Sequence, residues 1–167
     1  MTPQAPVLAI AIVCLAFGGQ ARERPDFAGV WTLDVRQSGA SGGGTGGGRG
    51  AGTGRGGGMG LGPAATQLTI TQDDTTLTIQ PRGGPVSKIV YRLDGKETAG
   101  AWPAGPTTRR ASFRSAWKDG RLVTLITTES NLTYEETISL DERGLLVVAV
   151  NIQGQANARV SVYRRKA

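Results

Sequence analysis

Apolar and polar residues alternate with a period of two through most of this chain, the pattern of strands that bury one face. Phe27, Gly29, Trp31, Leu33 and Val35 share one face of the first expected strand. Leu68 and Ile70, then Leu77 and Ile79, flank Asp73-Asp74 as a hairpin, and Ile89, Tyr91 and Leu93 precede a turn at Asp94-Gly95. Further strands fall near residues 110–118, 121–129, 132–140, 145–152 and 158–165. No window has the spacing of an amphipathic helix, so the chain reads as all-β with antiparallel neighbours.

Turn chemistry allows one face to be followed from strand to strand. A two-residue loop after Lys118 would set Trp117 opposite Leu122. A three-residue loop over Lys118-Asp119-Gly120, with Gly120 in the left-handed region, pairs Trp117 with Arg121 instead. The longer loop is preferred because it gathers aromatic residues: Phe113, Ser115 and Trp117 then share a face with Val123, Leu125 and Thr127. With Ser130-Asn131 as the next tight turn, that face continues through Leu132, Tyr134, Glu136, Ile138 and Leu140. Leu145 to Val150 reads LLVVAV, apolar on both faces. Something must cover the outer one, whether a partner subunit, the N-terminal segment or a membrane surface.

Two segments stand outside this pattern. Val7 to Phe17 reads VLAIAIVCLAF, too short to span a bilayer and of the right length for the core of a signal peptide. Gly19-Gln20-Ala21 fits a small-x-small cleavage site, so residues 1–21 are expected to be removed and the mature chain, periplasmic or extracellular, to start near Arg22. Val13 occupies the place that a lipoprotein signal gives to a small residue, which speaks against lipidation of Cys14. Residues 39–62 hold 15 glycines in 24 residues and have little apolar surface to offset the entropy of ordering them. They are expected to form a disordered insertion within a single domain spanning 22–167. Arg49 and Arg55, the tract's two charges, make a weak footprint for nucleic acid, and none is expected as a partner.

Composition narrows the chemistry. Arginine dominates the 19 basic residues, which stand against 13 acidic ones, and the resulting +6 favours anionic partners such as phosphates or lipid head groups. The chain has no His, and its one Cys lies in the expected signal. Disulfides, thiolate nucleophiles, Ser-His-Asp triads and His or Cys metal sites are therefore excluded from the mature protein. No metal site, cofactor or enzymatic activity is expected. Glu136 is the one charged residue on the traced face. It could orient a polar ligand head, and Glu135 beside it points the opposite way.

Phe27-Ala28-Gly29-Val30-Trp31 contains Gly-x-Trp at the start of the first strand. This resembles the opening motif of lipocalins and related calycins, in which the Trp closes one end of a barrel and an Arg of the last strand packs over it. The resemblance implies a lipocalin-like, antiparallel up-and-down β-barrel of about 8–10 strands. It implies a barrel closure made by Gly29, Trp31 and Arg164, with Arg165 as the neighbouring candidate, and a small apolar molecule inside. The traced face supplies Phe113, Trp117, Tyr134 and Glu136 as candidate ligand-binding residues. Two functions follow. One is an exported protein binding an apolar, amphipathic or anionic small molecule. The other is a cell-envelope scaffold with a solid core, whose strand Leu145–Ile152 docks a protein or membrane surface.

Overall fold

The computed structural model describes residues 24–41, 65–83, 85–104, 106–153 and 158–167. The expected signal and most of the glycine tract lie outside them. The described elements are strands: β1 (Gly29–Leu33), β2 (Gly39–Ser41), β3 (Gln67–Gln72), β4 (Thr76–Arg82), β5 (Ile89–Arg92) and β6 (Glu97–Ala104). They continue with β7 (Thr107–Lys118), β8 (Arg121–Thr128), β9 (Thr133–Leu140), β10 (Leu146–Ile152) and β11 (Ala158–Arg165).

Ten of them form one antiparallel path in the order β5-β4-β3-β1-β11-β10-β9-β8-β7-β6, with β2 added on β11. The path runs β1, β3, β4, β5 one way and β11 back to β6 the other, so the first and last strands pair at its middle. The sheet coils until its edges meet, where the Thr98 hydroxyl donates to the Val90 carbonyl at 3.2 Å. The result is a nearly closed up-and-down barrel of the calycin type. Its inner wall is apolar: Trp31, Leu68, Leu77, Ile79, Leu122, Ile126, Ile138 and Leu146 have no exposed surface.

Several strand limits differ from expectation. β1 ends at Leu33 because Asp34 turns the chain. Its carboxylate accepts from the Arg36 amide at 3.1 Å, and its carbonyl accepts from the Ser38 hydroxyl at 2.7 Å. Val35 is therefore 75% exposed and leaves the face it was assigned to. Phe27 precedes β1 and folds over the barrel end, fully buried. The glycine tract starts later than its composition implies, since Gly39–Ser41 pair with Val160–Ala158. β6 was not foreseen, because Gly100 and Pro103 read as breakers. It pairs on one side only, with β7, and an edge strand tolerates a proline.

Both hairpin turns used to trace the inner face differ by one residue, in opposite senses. Asp119 and Gly120 have φ of 51° and 75°, which makes a two-residue loop of the I′ kind, and Trp117 lies opposite Leu122. The reason is twist: two left-handed residues match the right-handed twist of the flanking strands. The next loop holds three residues, 129–131, closed by the Thr128 amide donating to Leu132 O at 3.0 Å, with Asn131 at φ 58°. The two differences cancel. β8 turns over, so that Leu122, Thr124 and Ile126 point inward and Leu125 is 47% exposed, while β7 and β9 keep their expected faces. Leu132, outside β9, is 44% exposed.

The apolar run at β10 resolves in the same way. Leu146, Val148 and Val150 are buried inside, so that stripe is no docking surface. Leu145, Val147 and Ala149 face outward and are half-buried.

Candidate functional site

Register across β7 to β11 arranges the interior in rows. Phe113, Ile126, Tyr134 and Ile152 form one row, and Trp117, Leu122, Ile138, Val148 and Ser161 another. Between them runs Ser115-Thr124-Glu136-Val150-Arg159, the one row with a charge at its centre. Ser115 and Thr124 have no exposed surface and their hydroxyls satisfy each other at 2.8 Å.

Glu136 is also fully buried. The hydroxyl of Tyr91, brought by β5 from the opposite wall, donates to its Oε2 at 2.7 Å, while Oε1 has no donor among the described residues. Burial raises the carboxyl pKa to about 7, against which the Tyr91 hydrogen bond works. Burial, and then the facing carboxylate, pushes the Tyr91 phenol well above its usual range. Tyr163 on β11 is held up to about 12, first by burial. Its hydroxyl makes no hydrogen bond of normal geometry, even to the nearby Ser161. Trp102 Nε1 is a further buried donor without an acceptor among the described residues.

Tyr91, the partner of this carboxylate, belongs to a cluster of aromatic rings. Tyr91 meets Phe113 edge-on at 5.9 Å, and Trp102 lies 6.1 Å from Phe113 and 5.9 Å from Tyr134. Phe113 fits because position 100 is glycine: a Cβ there would stand 3.0 Å from the ring. Of the four residues expected at a ligand site, Phe113 and Tyr134 meet through Trp102, and Glu136 lies one row away. Trp117 stands apart, half-buried at the barrel end with the Phe27 ring stacked on it at 5.7 Å.

That end is capped by the segment before β1. The Phe27 amide donates to Gln72 Oε1 at 3.1 Å, and Gln72 Nε2 donates to the Pro25 carbonyl at 3.0 Å. Trp31 Nε1 donates to the Phe27 carbonyl at 2.9 Å, so Trp31 anchors the cap from below. The arginine over the Trp31 ring is Arg165, at 4.7 Å, and not Arg164. Arg165 is the direct register partner of Trp31, whereas Arg164 points to the other face. There it binds Asp34 at 2.7 Å and, as the largest cause, lowers that carboxyl's pKa. Gly29 is needed beside this stack: its φ is 138°, and a Cβ would add contacts to Arg165 and Trp31 at 3.7 and 3.8 Å.

In the sequence Tyr91 is legible as a strand residue, but not as the donor to Glu136. The available signal was a phenol on the apolar face of Ile89, Tyr91 and Leu93, in a chain with one inward carboxylate. Trp102 was missed together with β6.

No family model and no curated protein matches the chain. Among solved structures it is similar to the REP1-NXSQ fatty acid transporter, with a TM-score of 0.56 and 12% identity, covering 84% of this chain and 96% of that one. It is also similar to the wild-type fluorescent protein UnaG, with a TM-score of 0.54 and 17% identity, covering 84% and 97%. These likenesses establish the fold.

Proposed function

We propose that this chain is an exported binding protein that holds a small apolar or amphipathic molecule inside its barrel. The observation that carries this reading is Glu136. Burying a carboxylate with one oxygen unpaired is costly, and a solid core would replace it with an apolar residue at no structural loss. Glu136 Oε1 and Tyr163 Oη, neither hydrogen-bonded among the described residues, support a site where a ligand's polar end completes the hydrogen bonding. The apolar rows on either side suit its body. A similar barrel is a fatty acid transporter, which supports the same class of cargo. Export rests on the apolar run and small-x-small site before Arg22.

Native mass spectrometry of the protein secreted by its own host tests both parts. The expected result is a chain beginning near Arg22 that retains a small molecule, released on denaturation. An apolar fluorescent dye should then bind the emptied wild type and be lost in Phe113→Ala, with the fold retained. A chain that keeps Met1 would end the export reading. An empty barrel that takes up no dye would leave the scaffold function instead.

A further inference from the structure

We propose that the interior selects the donor head of an apolar amine and discriminates against carboxylates, an inference that rests on the ligand-binding reading above. Glu136 offers Oε1 as an acceptor with no donor among the described residues, while Oε2 is held by Tyr91. Its row neighbours do not compete, since Ser115 and Thr124 are turned to each other. No Lys or Arg is buried among the described residues. Arg159 and Arg165 belong to the inward register of β11, opposite Val150 and Trp31, but both are exposed.

Above about pH 7, where Glu136 is ionised, the formal charge enclosed by the described wall is therefore that of one carboxylate. A second anion placed beside it would add repulsion and its own desolvation. Trp102 Nε1 and Tyr163 Oη are neutral and supply no compensating charge, and of the two Tyr163 Oη can also accept from an ammonium. A protonated amine does the reverse. It gives Oε1 a charge-assisted hydrogen bond and neutralises the buried charge. The contiguous rings of Tyr91, Phe113, Trp102 and Tyr134 add no charge of their own to offset a second anion. An alkyl body then lies along the apolar rows. The likeness to a fatty acid transporter thus extends to the shape of the cargo and not to its head.

The test is calorimetric titration of the mature protein with dodecylamine, 1-dodecanol and dodecanoate at about pH 8.5, where an alkylammonium keeps its proton. The amine should bind at least about ten times more tightly than the carboxylate, with the alcohol between them. The net charge of +6 works against this order, because the outer surface attracts the anion. Glu136→Gln should abolish the amine's advantage while keeping dodecanol binding, which shows that the barrel is intact. Glu135→Gln, on the exposed face, should leave the advantage unchanged. Dodecanoate binding as tightly as the amine overturns the inference and leaves the ligand-binding reading standing. So does an amine preference that survives Glu136→Gln or disappears in Glu135→Gln. If none of the three binds the wild type, both readings fall together.

Discussion

Glu136 makes the folded state hold a proton that the unfolded chain releases. The carboxyl moves from 4.5 in the unfolded chain to about 7 when buried. Because the folded pKa is the higher one, the stabilising contribution is complete below about 4.5 and declines as pH rises to about 7, then stays flat. The loss is on the order of 3 kcal/mol. Asp34 and Asp141 act in the opposite sense: their pKa values are lowered, Asp34 first by Arg164 and Asp141 first by the Leu145 amide. They contribute stability above their unfolded value of 3.8 and lose it on acidification. The stability maximum is therefore expected on the acid side of neutrality. Urea midpoints measured across pH should fall between about 5 and 7 for the wild type and stay level for Glu136→Gln, which should be the more stable at pH 8. A level wild-type profile would show that Glu136 is solvated. Tyr91→Phe removes the hydrogen bond that favours the charged form and should move the same window upward.

At the scale of strands and turns, two glycines are needed for different reasons, and substitutions separate them. Gly120 has φ of 75° with nothing near its missing Cβ, so Gly120→Ala costs about 1–2 kcal/mol through backbone conformation alone. Asn, which tolerates that region, should recover most of the loss. Gly100 has a Phe113 ring atom 3.0 Å from the missing Cβ, so Gly100→Ala costs about 1–3 kcal/mol through overpacking. Asn should not recover it, but the smaller side chain of Phe113→Leu should. Thermal unfolding of the five variants decides, and the same rescue pattern at both sites would refute the distinction. These elements also show what the sequence discloses. The alternation located β3, β4 and β7 to β11 within a few residues, because each buries one face and the pleat repeats every two residues. Loop length was ambiguous by one residue at both hairpins. Alternation could not resolve it, since β8 is apolar on both sides, with Leu122 and Ile126 on one and Val123 and Leu125 on the other. Glu136 could be placed inside from the face that it shares with Tyr134 and Ile138. Tyr91, its partner, could not, because their contact spans the barrel and depends on closure, which no local pattern encodes.

For the molecule as a whole, most of the glycine tract falls in sequence between β2 and β3. Replacing residues 44–60 with a few Gly-Ser repeats should shift the melting temperature only slightly, because loop closure changes by about 0.6 kcal/mol per doubling of length. A large fall would mean that the tract packs on the barrel. Closure of the barrel also distributes its three tryptophans among unlike surroundings. Trp31 lies beneath the Arg165 guanidinium, Trp102 sits dry among the rings near Glu136, and Trp117 is partly wetted under the Phe27 cap. The molecule thus carries its own optical reporters. With the other two changed to Phe, a Trp102-only protein should emit to the blue, resist acrylamide quenching and respond when the interior is filled. A Trp117-only protein should emit further to the red and brighten or dim as the cap lifts. Occupancy and opening then become two separate colours of the same emission, readable in one cuvette without any added label.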